Sequence, residues 1–236
     1  MRYSPVNRFR KKRGQALRAQ IETLARRLGR DVVVLDIGGR PDYWANVGLG
    51  RIARIEILNT DPAELGRRYS GDAPEGFFEA RIGDARDLSA YADGSVDLVH
   101  ANSVIEHVGD WGAMGAMASE MTRVGRAGWM QTPAWEFPVE PHFRAPFGHW
   151  FGKPLQARAL ALSLEPRYRG FDRQRRRRAV EKINLLSRGE VRALFPEAEL
   201  LVERVILAKS YVMRWMPPEP PLGPLASAPV EARAAA

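Results

Sequence analysis

The chain has 236 residues and no cysteine, which excludes disulfide bonds and metal sites built from thiolates. Hydrophobic residues make up 45% of it, enough for a sizeable core, yet no apolar run reaches the roughly 18 residues of a membrane-spanning helix. The net charge of +8 is unevenly spread, because ten Lys and Arg fall in residues 1–30 and eleven in residues 153–188.

Residues 1–30 are predicted to form a basic arm and a helix. Leu17, Ile21, Leu24 and Leu28 recur at helical spacing and are flanked by arginines. We expect this helix to pack on the sheet ahead of the first strand. A helix lying on an anionic membrane, with its apolar stripe down, is the alternative. An Arg-rich start is also typical of a mitochondrial transit peptide.

Five segments are predicted to be strands: residues 32–36, 54–58, 79–82, 96–101 and 128–132. They are spaced roughly 20 to 30 residues apart, with helical stretches in places, which is typical of a doubly wound sheet. We therefore predict an α/β fold with a Rossmann-like, mostly parallel sheet. A helix is predicted over residues 105–124, directly after the fourth strand.

The C-terminal part is predicted to close the sheet. Residues 187–195 are typical of a helix whose N-cap is Ser187. Residues 199–207 and 210–215 indicate two strands with a tight link, and we expect them to form an antiparallel hairpin at the sheet edge. The tail, residues 217–236, is rich in Pro and Ala and is predicted to be disordered.

Residues 133–186 are predicted to form an inserted cap after the fifth strand, within a main domain that covers residues 31–216. The insertion combines a basic run, residues 175–178, with many aromatic side chains. These aromatics either line a substrate pocket or form the core of the insertion, or do both: Trp135, Phe137, Phe143, Phe147, Trp150 and Phe151. The basic run is either a solvated helix face or a phosphate clamp.

Residues suited to one nucleoside follow successive predicted strands. Ligands of a doubly wound sheet bind outside the carboxyl ends of its strands, and two adjacent glycines let the backbone approach a ligand closely. A carboxylate after the second strand can accept hydrogen bonds from ribose, and one after the third can accept the amino proton of adenine. The candidates for cofactor binding are Asp36, Gly38, Gly39, Asn59, Asp61, Asp84, Ala85 and Asn102.

The stretches "VLDIGGRPDYW", "GDARDL" and "VDLVHANSVIEHV" occur in this order. Their combination resembles the class I S-adenosylmethionine-dependent methyltransferases, over roughly residues 30–134 and again over 187–215. The resemblance implies that S-adenosyl-L-methionine is the cofactor. The usual third glycine is replaced by "RPDYW", and the G-x-G-x-x-G of a nicotinamide reductase is missing. "GGxPDxW" and "PxEPHF" resemble a subgroup of bacterial methyltransferase-domain proteins.

The candidate catalytic residues lie near the fourth and fifth strands. His142 and Glu140 are in the loop after the fifth strand, which should overhang the transferred methyl group, and His107 is on the predicted helix after the fourth. An oxygen nucleophile needs a base, for which His142 or His107 is the candidate, whereas an amine need only arrive unprotonated. His100 is expected to be structural. No spacing of His, Asp and Glu indicates a metal site, so we predict none.

The expected function is methylation, on O or N, of a small-molecule, lipid-linked or glycan-linked acceptor in the cytoplasm or at the inner membrane face. The basic segments favour an anionic acceptor or peripheral membrane contact, although a solvated surface explains them as well. A nucleic-acid methyltransferase is one alternative; nucleic acid is disfavoured, because the sequence contains neither a recognisable RNA-binding module nor an "NPPY"-type motif. A non-catalytic protein that retains the fold is another.

Overall fold

A computed structural model of the protein describes residues 8–65, 69 and 71–218. In this part of the chain seven strands form one sheet, in the order β3-β2-β1-β4-β5-β9-β8. The strands are β1 (Val32–Ile37), β2 (Ile52–Asn59), β3 (Phe78–Ile82), β4 (Val96–Asn102), β5 (Gly125–Pro133), β8 (Glu199–Arg204) and β9 (Ala208–Trp215). A separate two-stranded sheet pairs β6 (Val139–Glu140) with β7 (Ala145–Pro146).

Strands β1 to β5 run parallel, and β9 is antiparallel to β5. The predicted α/β class, the mostly parallel Rossmann-like sheet and the antiparallel C-terminal hairpin are confirmed. The hairpin differs in one detail, because residues 205–207 form the exposed turn between β8 and β9 rather than the end of a strand. The carboxyl ends of β1 to β5 meet at one edge of the sheet, where the candidate residues were expected.

The helices are α1 (Arg8–Leu28), α2 (Pro62–Leu65), α3 (Trp111–Val124), α4 (Lys153–Ala159), α5 (Pro166–Arg169), α6 (Arg173–Glu181) and α7 (Arg188–Leu194). The helix predicted over residues 105–124 begins at Trp111 instead. Asp110 caps it by accepting a hydrogen bond from the backbone N–H of Ala113 at 2.9 Å. Gly109, with φ of 132°, cannot continue a helix. The N-cap predicted at Ser187 is confirmed by a complete capping box with Glu190.

The core lies on both faces of the sheet, and α1 covers part of one face. Its stripe is buried, since Leu17, Ile21 and Leu24 are at most 1% exposed. The packing predicted for this helix is therefore observed, and the stripe is not presented to a membrane surface. No helix in the described part of the chain is long and apolar enough to cross a membrane. The arm before residue 8 and the tail after residue 218 lie outside the described residues.

Polar side chains join α1 to the far end of the chain. The guanidinium of Arg13 donates through Nε to Glu203 Oε1 and through Nη1 to Asn102 Oδ1, both at 3.0 Å. Gln20 Nε2 donates to the backbone oxygens of Gly128 and Trp215, both at 3.1 Å. These contacts fix the N-terminal helix against β4, β5 and the closing hairpin.

Residues 133–186 contain β6, β7 and α4 to α6, with an apolar cluster of their own: Phe143, Ala145, Ala157, Leu160 and Val180. The end of this segment is tied to the loop after β4. Asn184 donates its backbone N–H to Glu106 O at 2.9 Å, and its amide group to Gly109 O at 2.7 Å. The insertion is thereby held over the carboxyl ends of β4 and β5. The boundaries of the domain, residues 31–216, remain a prediction.

Candidate active site

The turn after β1 requires glycine at position 38. Its φ of 62° is in the left-handed region, and its backbone N–H donates to Leu58 O at 2.7 Å. A Cβ at this position would lie 2.7 Å from the Cγ2 of Val104, which follows β4. The turns after β1 and β4 are therefore in contact, and a side chain at Gly38 would push them apart.

Asp36 is buried at the end of β1 and is 1% exposed. One carboxylate oxygen lies 2.6 Å from His100 Nδ1, and the other accepts a hydrogen bond from Trp44 Nε1 at 2.8 Å. A Cβ on Gly39 would lie 1.9 Å from this carboxylate. Burial and two partners thus tie the Asp36 side chain to the glycine turn and to His100, and its predicted contact with the cofactor stays a prediction.

The ends of β2 and β3 carry more accessible polar groups. Asn59 accepts from the backbone N–H of Asp61, and the exposed carboxylate of Asp61 accepts from Ala63 N at 2.9 Å. Asp84, half-buried after β3, is bonded by the exposed side chain of Arg86, whose hydrogen bond lowers the pKa of the carboxyl. Ala85 is packed in the core at 7% exposure, and its role in cofactor binding stays a prediction.

At the end of β4, Asn102 accepts the hydrogen bond from Arg13 with its amide oxygen. The next residue, Ser103, has φ of 56° and donates its hydroxyl to Gln131 Oε1 on β5 at 3.1 Å. This strained connection turns the chain sharply between β4 and the loop that carries His107. The role of Asn102 in cofactor binding stays a prediction.

All three predicted catalytic residues meet in one cluster. His107 Nε2 lies 3.1 Å from His142 Nε2, and His142 Nδ1 lies 2.5 Å from Glu140 Oε1. Glu140 is 2% exposed and also accepts from the backbone N–H of Phe143. The cluster joins the loop after β4 to the insertion after β5, two segments that are 35 residues apart in sequence.

Glu106 completes this cluster and was not predicted as a site residue. It is 0% exposed, its Oε2 accepts from Thr132 Oγ1 at 3.1 Å, and its Oε1 lies 3.9 Å from His142 Nε2. Burial raises its pKa to about 7. The only signal in the sequence was its place beside His107, and an acid on a predicted helix is ordinarily solvated.

Burial and charge act in opposite directions on the two imidazoles of the cluster. Burial lowers the pKa of His142, but the hydrogen bond and the negative charge of Glu140 outweigh burial and raise it overall. Burial lowers the pKa of His107, and the neighbouring His142 lowers it further. His142 is therefore the more basic of the two.

A cavity of about 420 Å³ lies between the start of α3 and the insertion. Its lining includes Glu140 of the cluster, Lys153 on α4 and the aromatic side chains of Trp111, Trp135 and Phe143. The two roles predicted for the aromatic residues were to line a substrate pocket and to form the core of the insertion, and different residues are placed differently with respect to them. Phe143 both lines the cavity and belongs to the core of the insertion, whereas Phe147, Trp150 and Phe151 are exposed.

Residues 35–128 match a family model whose description is "Methyltransferase domain". This part of the chain is similar to methyltransferase domains, and the match covers less than half of the chain. S-adenosylmethionine is the cofactor that this domain indicates. No curated protein matched the chain.

Solved structures share the fold of this chain at low sequence identity. Magnesium protoporphyrin IX methyltransferase (ChlM) from Synechocystis PCC 6803, with bound SAH, is 10% identical with a TM-score of 0.54, over 86% of this chain and 81% of that one. The CurJ carbon methyltransferase is 12% identical with a TM-score of 0.54, over 87% and 53%. Monomeric WbdD is 17% identical with a TM-score of 0.52, and the chain spans 40% of its length.

Proposed function

We propose that the chain transfers a methyl group from S-adenosylmethionine to an oxygen or nitrogen of a small-molecule, lipid-linked or glycan-linked acceptor. The observation that carries this proposal is the cluster of His107, His142, Glu140 and Glu106 at the carboxyl edge of the parallel sheet, beside a cavity. When bound, the cofactor supplies an activated sulfonium methyl, so positioning and water exclusion contribute most of the rate.

The carboxyl ends of β1 to β3 fit the cofactor. The turn at Gly38 and Gly39 has no side chain to hinder approach of a ligand to the backbone, and Gly38 is the position where a side chain is excluded by Val104. Asp61 is exposed and Asp84 is half-buried, so both carboxylates are accessible to ribose and adenine. We assign Asn59 and Asn102 to the same side of the site.

The cluster and the cavity form the acceptor side. The insertion covers the ends of β4 and β5 and limits access of water to the two carboxylates of the cluster, since Glu106 and Glu140 are at most 2% exposed, whereas His107 is exposed. His142 is oriented by Glu140 through Nδ1, which turns Nε2 toward His107. An acceptor hydroxyl in the cavity would lose its proton on this side, whereas an amine would need no base.

Cofactor binding is tested with the glycine turn. Gly38→Val is expected to abolish S-adenosylmethionine binding in calorimetry, because the side chain collides with Val104 and requires a left-handed backbone. Gly115→Ala on α3 is the matched control, since a Cβ there meets nothing within 4 Å. Circular dichroism checks the fold of both variants. Tight NAD binding, or unchanged S-adenosylmethionine binding in Gly38→Val, would contradict the proposal.

The basic face of the insertion supports an acceptor that is itself anionic or that lies at an anionic surface. Arg173, Arg175 and Arg178 of α6 are exposed, and α6 packs on α4. We expect cosedimentation with vesicles of anionic lipid at low salt and its loss at high salt, because screening shortens to about 8 Å at physiological ionic strength. Replacing the three arginines by glutamine should weaken the binding.

Two controls are needed to interpret the cosedimentation assay. Arg18→Gln removes an exposed arginine from α1, where it pairs with Glu22, and should leave vesicle binding unchanged. Neutral vesicles should not bind the wild-type chain. Binding to neutral vesicles, or no binding at any salt concentration, would refute an anionic surface as partner. Preference for a short RNA over anionic vesicles would favour the nucleic-acid alternative.

A further inference from the structure

We propose that Glu106, His107 and His142 bind a divalent transition metal ion, with Zn²⁺ as the best match. One ligand atom from each residue lies within 4.8 Å of the other two. The prediction from the sequence that there is no metal site is thereby reversed, because residues 106, 107 and 142 come together only when the insertion folds over the sheet.

The distances match a tetrahedral ion. With Zn–N and Zn–O bonds of about 2.0–2.1 Å, ligand atoms around tetrahedral zinc are separated by about 3.3 Å. His107 Nε2 and His142 Nε2 are 3.1 Å apart, and His142 Nε2 and Glu106 Oε1 are 3.9 Å apart. The two values lie on either side of the ideal separation, and the third pair of ligand atoms lies within 4.8 Å, so the side chains must draw closer to bind an ion.

Two of the three ligands are oriented by a second residue. Glu140 is bonded to Nδ1 of His142, and Thr132 donates to Oε2 of Glu106. A histidine that binds a metal usually donates its other ring N–H to a carboxylate or backbone carbonyl. These two side chains thus have the outer partners that are typical of metal ligands.

Glu106 Oε1 is the independent observation. It is fully buried, faces the histidine pair and has no hydrogen-bond partner in the described part of the chain. A proton shared between His107 and His142 would leave this oxygen unsatisfied, and buried polar atoms without a partner are rare. A cation would satisfy it together with both Nε2 atoms, and a nearby positive charge would favour the ionised form of the Glu106 carboxyl.

The ligand set selects the class of metal. Two imidazoles and one carboxylate suit zinc and other transition metals, whereas Mg²⁺ and Ca²⁺ prefer all-oxygen sites. Three protein ligands leave a fourth position open, as in catalytic zinc sites. A role of the metal in the reaction rests on the proposed function. The open position would then take the acceptor oxygen and lower the pKa of its hydroxyl, so that His142 would not act as the base. Metal binding itself is independent of methyl transfer.

The test is calorimetric titration of the chelator-treated full chain with ZnCl₂, without S-adenosylmethionine, followed by the visible absorption of the Co²⁺ form. One ion per chain is expected. His107→Ala and His142→Ala should each abolish binding, and Glu140→Gln should weaken it about 10–100-fold. The control is His149→Gln, which removes an imidazole of the insertion that bonds the backbone of Trp135 instead.

Two outcomes would overturn the metal site: no binding of Zn²⁺ by the wild-type chain, or binding that persists in the His107→Ala, His142→Ala double variant. Thermal unfolding followed by circular dichroism shows whether each variant is folded. Bound Zn²⁺ should raise the melting temperature of the wild type and of the His149→Gln control only. S-adenosylmethionine binding measured on the same chelator-treated protein separates the two proposals, since either can fail while the other holds.

Discussion

Asp36→Ala is expected to lower the free energy of unfolding by about 2–6 kcal/mol, because each of two buried hydrogen-bond donors left without an acceptor costs about 1–3 kcal/mol. The substitution leaves His100 Nδ1 and Trp44 Nε1 without their acceptor in a region that is at most 1% exposed. It also removes the group that sets the position of Gly39. Urea denaturation followed by circular dichroism measures the loss.

Two variants calibrate this result. Asp36→Asn keeps the size of the side chain and an acceptor for Trp44, so the loss should be smaller than for alanine. Asp31→Ala removes an exposed partner of Arg51, whose pairing contributes about 0–1 kcal/mol. If Asp36→Ala were no less stable than Asp31→Ala, the buried role of Asp36 would be wrong.

His142→Ala is expected to lower turnover about 10²–10⁴-fold, the usual contribution of a positioned acid–base group. The affinity for S-adenosylmethionine should change little, because His142 belongs to the insertion and not to the ends of β1 to β3. Proton removal by the imidazole and metal binding both require this residue. Turnover is measured as release of S-adenosylhomocysteine, with the best acceptor from a panel of phosphorylated and glycan-linked compounds.

The split between turnover and affinity is the informative readout. If His142 had only a structural role, turnover and cofactor affinity would fall together. If it had no role, both would stay unchanged. Glu199→Gln is the control, since this residue lies on the edge strand β8 and forms an exposed pair with Arg214. Equal losses of turnover and cofactor affinity in His142→Ala would count against its assignment to the acceptor side.

The centre of the sheet was predictable because β1, β2, β4 and β5 contain short, largely buried runs that a polar turn ends, and this pattern depends on local sequence alone. The start of α3 was not. Ile105 and Val108 have the spacing of an apolar helix face, but residues 105–107 form a single 3-10 turn before Gly109 and the Asp110 cap. Apolar spacing indicates which side chains pack inward, and it does not distinguish a helix from a turn that packs in the same way.

The candidate site was predictable in part for the same reason. Position after a strand was enough to select His107 and His142, but their contact depends on how the insertion folds back. For Asp36, position after a strand does not reveal which partners the side chain has. Its place at the end of β1 is typical of a ligand contact, and only the structure shows that the Trp44 indole, eight residues later, turns back to occupy one oxygen.

The contacts of α1 with the closing hairpin bear on how the protein folds as it leaves the ribosome. Arg13 and its partner Glu203 are 190 residues apart, a separation that takes about 10–40 s to synthesise at about 5–20 residues per second. During that interval the first helix is complete while β9 and β8 do not yet exist. The hydrogen bonds from Arg13 to the hairpin therefore form only after β8 and β9 have been made, so synthesis of the hairpin, rather than formation of α1, sets the moment when the native sheet can close.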